Sequence, residues 1–350
     1  MAEVQQSMGN KDAAIRLFEH ALDIGNGCSE TCRQEVCSVL NKLGNILYDQ
    51  GDFDAALKAY TKELDVERAC LGDHHANVAI TYTNIGQIYK RRKNYRKALS
   101  MYSRALSIQR KLTKQSNPDL AATLSSIAYI YSQTQRLSDA FNLYQEVLCI
   151  QRESVGEKSL EVSSTLTSIG LVLFNMDRHS LALQSFFESL NIRQSLLGLN
   201  HHEVAICLYN IATVYLDWGD DTKALEYYEK TLVVEQRAPN FNHKEMATVL
   251  KHIGQVHQKN ANVEESLDSY QRAVEVLQKA GVRDDDEIAN LLILIGSVHL
   301  QYGHAKDVVA TCSEALRYFT KTGRDVREFQ LCGFSFYALS KMHPNCSPAA

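Results

Sequence analysis

Proline is scarce in this chain, with four residues in 350. Proline removes a backbone donor and breaks helix interiors, so its scarcity leaves room for long helices. Pro118 and Pro344 sit where helices can begin or end. Long apolar runs are also missing. The densest, Leu291–Ile295, is far too short to cross a bilayer as a helix, and no membrane partner is expected. Met1–Asn10 is polar and lacks the apolar segment of a secretory signal. The formal net charge is only −4, so no basic field exists to hold nucleic acid. The nine cysteines are an odd number without the spacing of a disulfide framework. Reduced cysteine behaves as a small hydrophobe, and a reducing compartment, the cytoplasm, is expected. Signatures of catalysis are wanting too: no HExxH, GxSxG, GxxxxGK[ST] or GxGxxG occurs. No catalytic residue, no cofactor and no metal are therefore expected.

What the chain does have is a period. Gly44, Gly86, Ala128, Gly170, Ala212, Gly254, Gly296 and Ala338 follow one another at a constant step of 42 residues. Four positions earlier lie Leu40, Tyr82, Leu124, Leu166, Leu208, Leu250, Leu292 and Phe334; two positions later lie Ile46, Ile88, Ile130, Val172, Val214, Val256 and Val298. Apolar sites spaced by threes and fours are one face of an α-helix. A second helix has its own columns: Ala56, Ala98, Ala140, Ala182 and Ala224, then Tyr60, Tyr102, Tyr144, Phe186, Tyr228 and Tyr270, then a Leu or Val column from Leu64 to Leu316. The columns predict two antiparallel helices per unit. A small residue on the first lets the second approach closely, and the aromatic fills the space beside it. Asn117-Pro118-Asp119 marks a helix start, as do the acids Glu35, Glu161, Glu203, Glu245 and Glu287.

Asn84-Ile85-Gly86-Gln87-Ile88-Tyr89, Asn94-Tyr95, Ala98-Leu99, Tyr102 and Ala105-Leu106 resemble a tetratricopeptide repeat. The turn Gly72–Ala79, repeated at Gly198–Ala205, is similar to the 42-residue repeats of kinesin light chains and nephrocystin-like proteins. The resemblance implies an all-α, right-handed α-solenoid of antiparallel helical hairpins that binds proteins. It expects a glycine in the turn between helices, present as Gly51, Gly219 and Gly303 but replaced by Lys93, Gln135, Asp177 and Ala261. Kinesin light chains also carry an N-terminal heptad segment that joins the motor, and no sustained heptad precedes Glu35. A free-standing adaptor is the better expectation.

The phasing divides the chain into a partial repeat at 1–32, seven complete hairpins at 33–324, a lone terminal helix at 325–341 and a disordered tail at 342–350. In stacked hairpins the first helices line a concave face. The polar positions on it include Asn41, Lys42, Asn45, Asn84, Gln87, Tyr129, Asn210, Lys251 and Gln255. Asn84 and Asn210 read either as ordinary solvated helix surface or, as the resemblance implies, as backbone clamps for an extended peptide, since an amide donates and accepts at once. Lys90-Arg91-Arg92-Lys93 reads either as cations favoured at a helix C-terminus or as an anchor for an acidic peptide. The function expected is thus a protein-binding scaffold holding a linear acidic segment, with cargo recognition as one version. Two alternatives are a homodimer built through the terminal helices, with Phe334 and Phe336, and a regulatory domain of a larger protein. His74-His75 and His201-His202 read as turn residues, Cys37 as core beside Cys28 and Cys32, and Trp218 as packing.

Overall fold

The computed structural model describes residues 30–112, 118–238, 242–279 and 285–322. Among them every regular element is a helix. In order these are α1 (Glu30–Gln50), α2 (Phe53–Leu71), α3 (Ala76–Arg91), α4 (Tyr95–Leu112), α5 (Pro118–Gln133), α6 (Leu137–Val155) and α7 (Leu160–Asn175). There follow α8 (His179–Leu197), α9 (His202–Asp217), α10 (Asp221–Arg237), α11 (His243–Lys259), α12 (Val263–Lys279), α13 (Asp285–Gln301) and α14 (Ala305–Thr322). The chain divides into two compact units, residues 1–178 and residues 179–350. In the first, α1/α2, α3/α4 and α5/α6 form hairpins and α7 packs on α6; in the second, α8 packs on α9, and α9/α10, α11/α12 and α13/α14 pair. The partial repeat, the lone terminal helix with its aromatic residues and the tail fall outside the described residues, apart from the start of α1.

Each hairpin is closed by the same turn. One residue per period is left-handed: Gly51, Gly219 and Gly303 at φ of 83°, 86° and 78°, and Lys93, Gln135, Asp177 and Ala261 at 56°, 61°, 58° and 59°. The following amide donates back across the helix end, as Asn94 N–H does to Tyr89 C=O at 2.9 Å and Asn262 N–H to His257 C=O at 2.9 Å. This satisfies carbonyls that the helix itself leaves open. In two hairpins an aspartate then caps the next helix, Asp52 accepting from Ala55 N–H and Asp220 from Lys223 N–H, whereas Arg136 caps none. His75 and His201 serve the first helices in the same way. Their Nδ1 atoms accept from Asn77 and Glu203 N–H, each at 3.2 Å.

The small-residue column sets how closely two helices approach. A Cβ on Gly44, Gly86 or Gly254 would lie 2.6–2.7 Å from the ring of Tyr60, Tyr102 or Tyr270. Those rings are 2%, 0% and 0% exposed, so they have nowhere to retreat. At Gly296 the aromatic partner is replaced by Cys312, and the nearest atom is Thr311 Oγ1 at 3.2 Å. Gly254→Ala should therefore destabilise the fold by about 1–3 kcal/mol through overpacking. Gly296→Ala should be near neutral, because a small shift is offset by better helix propensity. Ala261→Gly should stabilise by about 0.5–1 kcal/mol, since alanine bears the left-handed strain with no side-chain bond to offset it. Urea midpoints of the three variants check these outcomes.

Candidate functional site

Asn84, Gln87, Lys90 and Arg91 fall on one face of α3, at spacings of three and four. Flanking helices complete the site. Arg91 Nε donates to Tyr48 Oη of α1 at 3.0 Å, and its guanidinium lies 6.0 Å from that ring's centre. Lys90 Nζ lies 5.6 Å from the ring centre of Tyr129 on α5. Gln87 Nε2 donates to Ser126 Oγ of α5 at 3.1 Å. Tyr48, Gln87, Lys90, Arg91 and Tyr129 line a pocket of about 410 Å³ with Lys93 and Tyr95; Asn84 lies outside its lining. Neither Lys90 nor Arg91 has a carboxylate partner among the described residues. Arg92, by contrast, is bound to Asp54 at 2.7 Å. Burial lowers the proton affinity of the Lys90 amine below its ordinary value, and the neighbouring Arg91 charge adds to this. The Tyr48 hydrogen bond holds Arg91 above its ordinary value. The arrangement is two adjacent cations between two aromatic rings, suited to a carboxylate or another anion.

The helices that build this site match the family model described as tetratricopeptide repeat over residues 35–111, 119–194, 161–232 and 245–321, more than half of the chain. The chain belongs to the tetratricopeptide repeat family. Solved structures share this all-α solenoid fold. The quorum sensor NprR from B. thuringiensis in its apo form is 14% identical, with a TM-score of 0.64 over 91% of this chain and 83% of that one. BtubC (BKLC) from P. vanneervenii is 19% identical, with a TM-score of 0.58 over 66% and 92%. A putative kinesin light chain from Podosopora anserina, with nearly identical repeats, is 14% identical, with a TM-score of 0.52 over 57% and 95%. At these identities the likeness concerns the fold alone. No curated protein matches the sequence significantly.

Within this tetratricopeptide repeat chain the other expected site residues divide by what they already bond. Asn41 Nδ2 donates to Glu63 Oε1 at 3.0 Å, and its carbonyl accepts from Asn45 Nδ2 at 3.1 Å. Asn45 in turn accepts from Tyr60 Oη at 2.6 Å. Both amides are thus engaged in holding α1 to α2. In the second unit Lys251 is bound to Glu287 at 2.6 Å. Gln255 is exposed on α11, and Lys42 is half-buried on α1. The side-chain amides of Asn84 and Asn210 have no hydrogen-bond partner among the described residues. Asn210 lines a small pocket with Tyr209, Thr231 and Thr248. Trp218 stacks on His179 at 5.8 Å between ring centres yet stays 54% exposed.

One feature of the first unit escaped the sequence reading. Cys37, Asn41, Glu63, Glu67, Cys70, His75 and Thr81 line a pocket of about 550 Å³. Glu63 and Glu67 are each only 3% exposed. A signal existed: Glu63 stands in a column otherwise filled by Ala105, Val147, Ser189, Thr231 and Ala273. Burial, then the neighbouring Glu67, pushes the Glu63 carboxyl up to about 8, against a pull downward from Asn41. The Cys37 thiol is pushed up to about 12 by burial and by Glu67 and Glu63, which makes it a poor nucleophile. A carboxyl raised on folding holds its proton more tightly in the native state. Its contribution is most favourable below the unfolded value near 4.5 and is lost as pH rises to about 8. Glu63→Gln keeps the Asn41 bond without the charge. It should raise the urea midpoint at pH 8, by about 1 kcal/mol or more in stability, and leave it nearly unchanged at pH 4.5.

Proposed function

We propose that this tetratricopeptide repeat chain is a binding scaffold that holds an extended acidic peptide along the first-helix face of its first unit. The observation that carries this reading is the pair Lys90 and Arg91, set between Tyr48 and Tyr129 with no carboxylate partner among the described residues. A peptide carboxylate placed there forms charge-assisted bonds that water otherwise supplies. It also relieves the repulsion between the two cations. Asn84 lies two turns before Arg91 on the same helix face, where its amide, unpartnered among the described residues, can grip a peptide bond without reading a side chain. Tyr48 and Tyr129 offer flat faces for an aromatic or aliphatic neighbour of the acid.

Asn210 is the corresponding clamp in the second unit. Asn41, Asn45 and Lys251 contribute less, because their polar groups are already satisfied within the fold. Cargo recognition of the kinesin-light-chain kind is one version of this function. The free thiols of Cys37, Cys70, Cys149, Cys207 and Cys312 support a reducing, cytoplasmic setting.

A selection of random displayed peptides against the full chain tests the proposal. Wild type should enrich a motif with one or more acids. Lys90→Ala/Arg91→Ala should lose that motif, with affinity for a synthetic version down about tenfold or more. Affinity should also fall as salt is raised from about 50 to 300 mM, because the pair is part-exposed and screened. Equal enrichment of the same peptides by wild type and variant would sink the assignment.

A further inference from the structure

We infer that His202, Glu235 and Glu245 in the second unit form a binding site for a divalent transition-metal ion, with zinc as the ion to test first. The site joins three helices. His202 stands in the first turn of α9, Glu235 in the last turn of α10 and Glu245 in the first turn of α11. His202 Nδ1 lies 2.8 Å from Glu235 Oε1, and Nε2 lies 3.3 Å from Glu245 Oε2. One ligand atom from each residue falls within 4.8 Å of the other two.

The repeat itself shows that Glu235 is not there for packing. Its column, at the step of 42, runs Glu67, Gln109, Gln151, Arg193, Glu235 and Leu277. Leu277 is fully buried, so an apolar side chain fills this place in the next repeat. Where the column is polar, the residue fourteen positions on often supplies a partner. Thr81 Oγ1 donates to Glu67 at 2.7 Å and Thr165 Oγ1 to Gln151 at 2.7 Å. After Arg193 the partners are Cys207 Sγ at 3.3 Å and the Glu203 carboxylate at 3.1 Å. After Glu235 the corresponding residue is Val249, which has no donor. Glu235 is 1% exposed, and its Oε2 is buried without a hydrogen-bond partner. His202 holds Oε1 and the Asn242 N–H also acts on this carboxylate, but burial outweighs both and no hydrogen bond reaches Oε2, a cost that a leucine would remove.

The donor set selects the ligand. One imidazole nitrogen and two carboxylate oxygens suit zinc, whereas magnesium and calcium prefer all-oxygen shells with more ligands. A single imidazole cannot neutralise two carboxylates, which leaves negative charge for a cation. Glu235 and Glu245 both line a pocket of about 280 Å³, which gives an ion access to the two carboxylates. A metal ion sits close to its ligands, at about 2.0–2.2 Å, and fits among three ligand atoms that already lie within 4.8 Å of one another. His202 and Glu245 have side chains 28% and 45% exposed, which leaves an open side for entry and for water as a fourth ligand.

Zinc titration of the full chain, followed by calorimetry and by thermal midpoint, tests the inference. A second group, His299, His304 and Asp307, also brings ligand atoms within 4.8 Å, where α13 turns into α14, and serves as the control. Wild type should bind zinc with a Kd of about 1 µM or tighter and show a raised midpoint. His202→Ala and Glu245→Gln should each weaken binding by about tenfold or more, while His304→Ala should retain it. Glu235→Leu should lose zinc while equalling or exceeding wild-type stability in zinc-free buffer, which separates ligation from folding. Absence of binding at about 100 µM zinc, binding that survives in Glu235→Leu, or binding lost only in His304→Ala would each overturn the assignment.

Discussion

The close approach of a first helix to its second, at a glycine facing a buried tyrosine ring in three hairpins, is the constraint on which the rest of the structure depends. Gly44, Gly86 and Gly254 leave no room for a methyl group against Tyr60, Tyr102 and Tyr270. The ring thereby fixes where the second helix lies, and the Leu and Val columns follow at their helical spacing. A second fixed point sits at the other end of each first helix, where one left-handed residue reverses the chain. The fold tolerates Lys93, Gln135, Asp177 and Ala261 there because the back-donated amide bonds form whatever the side chain. Strain of about 1 kcal/mol or somewhat more at one residue is small against the burial of a whole tyrosine.

Buried polar residues give the repeats their individuality. The apolar columns are nearly interchangeable from unit to unit. The polar ones are not: Glu63 is bound by Asn41, Glu67 by Thr81 and Arg193 by Glu203, each solution local to its repeat. Such groups cost stability when unmatched, so each must find its own partner. The same property lets a repeat array carry different chemistry at successive positions without altering its frame. A basic, aromatic-flanked face on α3 and an acidic, histidine-bearing cluster across α9, α10 and α11 stand on the same scaffold.

The period of 42, the helix pairing and the turn positions were all legible in the sequence, because each depends on residue size and spacing within a single hairpin. The site was legible in part. Gln87, Lys90, Arg91 and Tyr129 were named from the chain alone and do come together, but Tyr48, which binds Arg91, was missed. That contact joins residues 43 positions apart on neighbouring first helices. Nothing in a column of types says which of two adjacent aromatics points toward a cation. Nor did the sequence distinguish Asn41 and Asn45, which hold α1 to α2, from Asn84, whose amide has no partner among the described residues.

What the sequence by itself determined is the fold: an all-α array of helical hairpins, whose packing rules repeat and can be read by phase. What only the tertiary structure decided is which polar side chains are spent inside that fold and which remain for a partner. Burial of apolar residues is set by periodicity, which one chain displays in full. Hydrogen-bond satisfaction is set by a particular atom on a neighbouring helix, such as Val249 beside Glu235 where another repeat has a threonine, and that pairing appears only when the helices are stacked.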